Sequence, residues 1–298
     1  MSSPHTEKAY AKINLNLEII GRRADGYHEL VSLVSFARDV FDIITIKPSG
    51  NFSLHVSGPS SHKIDGNNII VQTVKKAESK SSVTQLGHIE LVKNLPVAAG
   101  LGGGSADSAA VLRAIAKLND ISDIATEFAD ICPEIGADVT VCLQSGASEG
   151  ALMWGIGEQV WRPSAPDGAL IPSGIGAVLV NPGAAVPTGD IFRALGASPL
   201  ETAPAAPDMP GAFRTFEQLV QFLQTSRNDL ETPARAVAPV INDVLAELGD
   251  LPHCALARMS GSGATCFGLF QSLADAQTAK EQLASKQPQW WVQATRLG

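Results

Sequence analysis

Residues 96–110 read PVAAGLGGGSADSAA, and three consecutive glycines, Gly102 to Gly104, run there straight into Ser105. A strand-like segment, HIELVKN (88–94), leads in, and a helix-like segment, SADSAAVLRAIAKL (105–118), leads out. Glycine takes positive φ without penalty and lets the backbone approach a ligand closely. A helix N-terminus presents free N–H groups and the positive end of the helix dipole. Strand, glycine loop and helix together read as an anion site, of the kind that holds a nucleotide phosphate. A flexible linker would not be braced between an apolar strand and an alanine-rich helix. The loop is not a Walker A motif, because no Gly-Lys-Ser/Thr follows the glycines. Counted from Gly100 as a dinucleotide fingerprint, Gly102 fits the second glycine, but Ser105 stands where glycine or alanine is wanted. Asp120 and Asp123 lie at the distance of a ribose-binding acid, so a dinucleotide reading is weakened but stays open at this point.

The rest of the chain bounds the possibilities. Its 298 residues give room for two domains or one large one. A net charge of −8 without a basic patch argues against a nucleic-acid partner. The four cysteines, Cys132, Cys142, Cys254 and Cys266, form no CxxC and read as buried free thiols of a reducing cytosol. The opening MSSPHTEKAYAKINLNLEII has no apolar signal core. The apolar stretch 169–187 is interrupted by Pro172, Pro182, Pro187 and several glycines, so it does not read as a membrane span. The expectation is a cytoplasmic protein with no membrane partner, a monomer or weak homodimer, since no heptad or obvious interface is visible.

Residues 12–19 alternate, with Ile13, Leu15, Leu17 and Ile19 against Lys12, Asn14, Asn16 and Glu18. This is the pattern of a half-buried strand with Lys12, Asn14 and Asn16 on one face. A turn at Ala24–Asp25–Gly26 follows, then strands at 30–36, 42–48 and 52–58, a helix at 68–80, the strand at 88–94 and the helix at 105–118. A helix is expected over 122–135, and a loop with strands over 136–143 and 150–160. A boundary is expected near 163–175, giving domains 1–165 and 166–298. After a strand at 176–181, an Ala/Pro-rich stretch (196–211) reads as a mobile connection. Helices at 213–224 and 235–248 follow, the second bent at Pro239. The chain closes with a strand (255–259), a Gly/Ser loop, a strand (265–270), a helix (272–285) and a strand (290–296). The fold class is α+β, with a second domain of the split βαβ kind.

Outside the glycine loop, no single residue would justify a functional claim. SGSGAT (260–265) alone is a hairpin turn, although beside the first glycine loop it reads better as part of a shared substrate site. Lys12 alone would be a surface lysine, and Asp138 in GADV a turn carboxylate. Tyr27 beside His28 offers a stacking surface for a planar ligand.

Four segments in order, AKINLNL (11–17), PVAAGLGGGSADSAA (96–110), GADV (136–139) and SGSGAT (260–265), resemble the GHMP superfamily of small-molecule kinases, named for its galacto-, homoserine, mevalonate and phosphomevalonate kinases. AKINLNLEIIGRRADGYHEL (11–30), NNIIVQTVKKA (67–77), NPGAAVPTGDIF (181–192) and NDLE (228–231) resemble the branch that phosphorylates a cytidine diphosphate-linked methylerythritol in non-mevalonate isoprenoid synthesis. The resemblance spans nearly the whole chain. It implies a two-domain fold, with an N-terminal domain of ribosomal-protein-S5-like type and a C-terminal ferredoxin-like α/β plait. It also implies ATP as co-substrate, carrying magnesium, and transfer to the 2-hydroxyl of the cytidyl substrate.

Residue by residue, the resemblance makes Lys12 and Asp138 the catalytic pair, Asp138 taking the hydroxyl proton and Lys12 supplying positive charge beside it. Pro96, Val97, Ala98, Ala99, Gly100, Leu101, Gly102, Gly103, Gly104, Ser105 and Ala106 match the ATP phosphate loop, and Asn68 an adenine-side contact. Tyr27 and His28 match the cytidine site, by stacking and by hydrogen bonding. Asn14 and Thr188 match the methylerythritol end, and Gly261, Ser262 and Gly263 the second glycine turn against the substrate. No residue is assigned to a metal. The chain departs from the family's pattern at Thr140, where proline usually follows GADV, and at Met153–Trp154, where a small or polar pair is usual. Three alternatives stand beside this reading: another kinase of the superfamily, a silent binding protein on the same fold, and a dinucleotide-dependent oxidoreductase. Tyr27–His28 argues against the first and the retained Lys12 and Asp138 against the second. Ser105 and the order of elements argue against the third.

Overall fold

The computed structural model describes residues 3–64, 68–145, 150–163, 169–202 and 204–298. The chain opens with strands β1 (His5–Asn14), β2 (Glu18–Arg22), β3 (His28–Ser49) and β4 (Ser53–Ser57). Helix α1 (Ile69–Glu78), β5 (Leu86–Val92) and α2 (Gly103–Leu118) follow, then three short helices, α3 (Ile124–Glu127), α4 (Cys132–Ile135) and α5 (Val139–Ser145). Strands β6 (Ala151–Gly155), β7 (Gln159–Trp161) and β8 (Ile175–Asn181) lead to α6 (Thr188–Leu195), α7 (Phe216–Thr225), α8 (Glu231–Val237) and α9 (Val240–Gly249). The chain ends with β9 (Leu256–Met259), β10 (Cys266–Phe270), α10 (Leu273–Lys286) and β11 (Trp291–Leu297).

β3 is the spine. It pairs with β1, β2, β5 and β6, and at Ala37 with Leu297 of β11. The pairing of β1 jumps from Lys12↔Phe36 to Tyr10↔Phe41, leaving Ala37–Val40 of β3 free of it. β11 docks in this gap. The Asp39 backbone N–H donates to Thr295 Oγ1 (3.1 Å), and the Asp39 carboxylate accepts from the Arg296 backbone (3.0 Å) and guanidinium (2.7 Å). Those bonds from Arg296, outweighing burial, hold the Asp39 carboxyl below its usual range. One sheet path, β4-β5-β3-β11-β8-β10-β9, therefore runs through both halves of the chain. Its last four strands, taken in the order β11-β8-β10-β9, are all antiparallel, with α10 in the connection from β10 to β11. This is the ferredoxin-like arrangement expected from the strand–strand–helix–strand ending.

Helix α2 is packed in the N-terminal half among β1, β3, α1 and α5. Its alanines, Ala106, Ala109, Ala110, Ala114 and Ala116, are all buried, and their small side chains let the helix sit close to the sheet. That close seat carries its N-terminus, and the glycine loop before it, to the polar end of β1.

The structure corrects several sequence expectations. The alternating run 12–19 is divided between the end of β1 and the start of β2, and its polar face is buried: Lys12, Asn14 and Asn16 are only 2, 2 and 4% exposed. The strands expected at 30–36 and 42–48 are one strand, β3. The helix expected over 122–135 is broken into α3 and α4. Within 136–143, expected as loop and strand, the chain instead enters α5 (Val139–Ser145), whose start is marked by the Cys142 N–H donating to the Asp138 carbonyl (3.1 Å). Packing against α2 overrides the β-branched propensity there. The helix over 235–248 divides at Pro239 into α8 and α9. The expected domain boundary at 165/166 lies outside the described residues.

Candidate active site

Lys12 is near the end of β1, and its backbone N–H donates to the carbonyl of Leu101 in the glycine loop (2.9 Å). Its Nζ donates to Asp138 Oδ1 at 2.9 Å and to Asn14 Oδ1 at 3.0 Å. Asn14 is fixed in turn by donating to Ser32 Oγ (2.8 Å), which donates to the Asn16 carbonyl (2.5 Å). The two ends of the ion pair differ in exposure. The Lys12 side chain is 3% exposed and that of Asp138 is 29% exposed, so the carboxylate is the end that an incoming molecule can reach.

Gly102 lies over this pair. It adopts φ 59° and caps α2, and a Cβ there would come within 3.1 Å of Lys12 Cε and 3.6 Å of Asp138 Oδ2. At Gly100, φ is 75° and a Cβ would meet the Ser260 carbonyl at 2.3 Å. Glycine is required at both positions by conformation and by space. Side-chain and backbone bonds tie the second glycine turn to the first. Ser260 Oγ donates to the Gly100 carbonyl (2.9 Å) and accepts from the Asn14 N–H (3.1 Å), and the Thr265 N–H donates to the Ala99 carbonyl (3.2 Å). Asn228 Nδ2 donates to the Met259 and Gly261 carbonyls (2.8 Å each).

A cavity of about 1100 Å³ runs along these groups. Its lining includes Lys63, Asn68 and Ile69 around the start of α1, and Arg22, Tyr27, His28, Thr188 and Phe192 from β2, β3 and α6 and the turn between β2 and β3. Lys12, Asn14, Asp138, Gly261, Ser262 and the loop residues Pro96 to Gly100 and Gly102 to Ser105 line it too. Three expected site residues do not. The Leu101 side chain is in one hydrophobic core cluster, and Ala106, on the buried face of α2, is in another. A Cβ on Gly263 would strike Met259 Sδ at 2.6 Å, which places this residue behind the turn. Asn68 also caps α1, its side-chain oxygen accepting from the Ile70 N–H (2.9 Å). Thr188 Oγ1 and Ser262 Oγ are 2.8 Å apart across the cavity.

Among the aromatic residues of this lining, Tyr27 is 59% exposed, and the His28 ring stands 4.7 Å from that of Phe192 at an interplanar angle of 35°. Burial, and then the Arg22 charge, push His28 below its ordinary pKa, so at neutral pH it is an uncharged ring with one donor and one acceptor. Phe192 and Arg22 were not assigned from sequence. Phe192 closes the stretch NPGAAVPTGDIF, and its signal is an aromatic one turn into the amphipathic α6. Among the described residues there is no cluster of three or more His, Cys, Asp or Glu able to hold a metal ion, and no helix long and apolar enough to cross a membrane.

Comparison with known proteins matches these halves to two family models: GHMP kinases N terminal domain over residues 68–146 and GHMP kinases C terminal over 203–289. A 4-diphosphocytidyl-2-C-methyl-D-erythritol kinase of Parvibaculum lavamentivorans is 41% identical, with 100% of both chains covered. One of Dinoroseobacter shibae is 46% identical over 99% of this chain and 96% of its own. Among solved structures, a 4-(cytidine 5'-diphospho)-2C-methyl-D-erythritol kinase superposes with a TM-score of 0.74 at 31% identity, with 99% of both chains covered. A homoserine kinase from Cytophaga hutchinsonii shares the fold, with a TM-score of 0.69 at 16% identity. The glycine loop over a lysine–aspartate pair thus stands in a chain related along its whole length to one kind of kinase, and the chain belongs to the 4-diphosphocytidyl-2-C-methyl-D-erythritol kinase family of the GHMP kinases.

Proposed function

We propose that the chain transfers the γ-phosphoryl group of ATP to the 2-hydroxyl of 4-diphosphocytidyl-2-C-methyl-D-erythritol, giving the 2-phosphate and ADP. The observation that carries this reading is the Lys12–Asp138 pair, 2.9 Å apart directly beneath Gly102, in a cavity that the glycine loop, the start of α1 and the aromatic group of Tyr27, His28 and Phe192 also line.

ATP lies with its phosphates on the N–H groups at the start of α2 and its base toward Asn68 and Ile69. The cytidyl base lies against Tyr27 and Phe192, with His28 donating and accepting at its edge. Thr188 and Asn14 flank the methylerythritol hydroxyls. Asp138 accepts the proton of the 2-hydroxyl as its oxygen bonds to the γ-phosphorus. The bond from that phosphorus to the β–γ bridging oxygen breaks, and ADP leaves. Lys12 holds Asp138 in place and offsets the negative charge gathering on the transferring group. Phosphoryl transfer has a loose transition state, and its catalysis is mostly positioning and charge stabilisation, which the loop amides, the α2 dipole and Lys12 provide. Magnesium would come with ATP and neutralise phosphate charge there; among the described residues no cluster of three or more His, Cys, Asp or Glu would hold it by itself. The cytoplasm is the proposed compartment, and the four cysteines, all free thiols, suit a reducing environment.

The test is ADP release from magnesium-ATP with and without the cytidyl substrate. The expected result is release that requires this substrate and is absent with mevalonate or homoserine. Release with either of those, or none with any, would overturn the reading.

A further inference from the structure

The motif NDLE (228–231) lies between α7 and α8, and no step of the proposed transfer uses it. Its hydrogen bonds run in two directions. Toward the N-terminal half, it pairs with the link between β1 and β2. The Leu17 N–H donates to the Arg227 carbonyl (2.9 Å), and the Asp229 N–H donates to the Leu17 carbonyl (2.9 Å). Asp229 Oδ2 accepts from the Ile19 N–H (2.7 Å). Toward the second glycine turn, Glu231 Oε2 accepts from the Met259 N–H (3.0 Å), and Asn228 Nδ2 donates to the Met259 and Gly261 carbonyls (2.8 Å each). Asn228 Oδ1 accepts from the Leu230 N–H (3.0 Å). The Asn228 side chain is buried, and its amide nitrogen and oxygen are both engaged in holding backbone.

The turn needs this hold. Gly261 and Gly263 have φ of 56° and 87°, and a glycine on each side of Ser262 leaves the backbone there wide conformational freedom. The Gly261 carbonyl shares a planar peptide unit with the Ser262 N–H, so fixing that carbonyl fixes the direction in which Ser262 leaves the turn. Ser262 lines the cavity, and its Oγ is 2.8 Å from Thr188 Oγ1. The turn is also pressed against the other side of the site. A Cβ on Gly261 would come within 3.1 Å of the Gly100 carbonyl oxygen and 3.3 Å of Asn14 Oδ1, the atom that accepts from Lys12 Nζ. Asn228 therefore acts on the acceptor side of the site. The ATP loop has its own ties to the turn, through Ser260 Oγ on the Gly100 carbonyl (2.9 Å) and the Thr265 N–H on the Ala99 carbonyl (3.2 Å).

We infer that Asn228 is a positioning residue for the acceptor: its amide fixes the Gly261–Ser262 peptide so that the Ser262 hydroxyl, beside Thr188, meets the methylerythritol hydroxyls. The inference rests on the transfer to the cytidyl substrate proposed above. A misplacement of about 1 Å in a site that works by positioning can cost about a hundredfold in rate, which is the reason a turn built on two glycines is held by a buried amide.

The experiment is a double-mutant cycle on kcat/KM for the cytidyl substrate, with Asn228→Ala, Ser262→Ala and the two combined, beside a titration of magnesium-ATP into each without acceptor. Ser262→Ala is expected to lower kcat/KM about threefold to tenfold, the worth of one neutral hydrogen bond. Asn228→Ala is expected to lower it at least about tenfold, because it releases the whole peptide unit. The combined variant is expected to stay within about twofold of Asn228→Ala alone, since a hydroxyl already displaced has nothing further to lose. Magnesium-ATP affinity is expected to remain at the wild-type level in all three, which a general loosening of the fold would not allow. Losses that multiply, wild-type kcat/KM in either single variant, or ATP affinity falling in step with kcat/KM would each overturn the inference. If Asn228→Ala does not fold, the cycle is run with Asn228→Ser, which keeps a hydroxyl donor at the position, and the same non-additivity decides. No turnover of the cytidyl substrate by wild type would overturn the proposed reaction, and this inference with it; wild-type turnover with losses that multiply would overturn the inference alone.

Discussion

The chain uses a lysine against aspartate twice within one cavity wall, and the two arrangements differ in what is left open. At Lys12–Asp138 the lysine is sealed and the carboxylate is part-exposed, with one cation for one anion. At Lys93 a single cation is enclosed by Asp42 and Asp107, and all three are sealed. The first pair can exchange a proton with a bound molecule and return to its starting state; the second can hold its neighbours in register. Burial depth, rather than residue type, divides chemistry from scaffolding here.

The sharpest way to break that comparison is Asp138→Asn. Removing the base should lower kcat by about two to four orders of magnitude while magnesium-ATP affinity stays near wild type. Steady-state rates with a parallel nucleotide titration check this. A kcat within a few-fold of wild type would mean that Asp138 is not the base and that the open pair is as structural as the sealed one. Lys93→Met asks the converse question. It strands Asp42 and Asp107 without their cation, and breaking a buried pair from one side costs about 3–5 kcal/mol. Urea denaturation should show that loss, and Lys12→Met, which leaves the part-exposed Asp138 behind, should show less. Equal losses would erase the distinction drawn between the two sites.

Tyr27 tests the aromatic part of the cavity, where exposure again decides the role. An aromatic 59% exposed is not held there by the core. Aromatic pairing is worth about 0.5–1.5 kcal/mol beyond area. Tyr27→Ala should therefore raise KM for the cytidyl substrate by up to about tenfold and leave KM for ATP alone. Equal rises in both would remove Tyr27 from the cytidine site.

How much of this was visible in the chain follows the same division. The strand–glycine loop–helix unit was legible because glycine, strand and helix signals are local and coincide within residues 88–118. The ferredoxin-like ending was legible from the order of its elements. Lys12 and Asp138 were isolated charges, 126 residues apart, and only the resemblance to a family joined them. The Lys93 cluster was not foreseen, because a lysine at a strand end and an aspartate in an alanine-rich helix both read as solvated. Nothing local says that β3 passes behind them and brings Asp42. The helix α5 was misread because Val139, Thr140 and Val141 favour strand, and it is contact with α2 that decides their conformation.

That misread helix carries the smallest prediction, at the position where the chain departs from its family. Thr140 follows Val139, the first residue of α5, so its N–H lies in the first turn, where a helix has no internal acceptor for it. Its hydroxyl is buried and makes no hydrogen bond. Threonine thus brings an unpaired oxygen to the position and needs no N–H there, while proline is tolerated in the first turn and narrows the unfolded ensemble. Thr140→Pro is expected to stabilise the protein by about 0.4–1 kcal/mol, read as a rise in the urea midpoint at constant slope. Because Asp138 immediately precedes α5, the same change should leave kcat near wild type if the carboxylate is held by Lys12 rather than by the backbone of this turn. A lower midpoint would mean that Val139 cannot adopt the conformation proline demands of the residue before it, and that the turn is set by threonine after all.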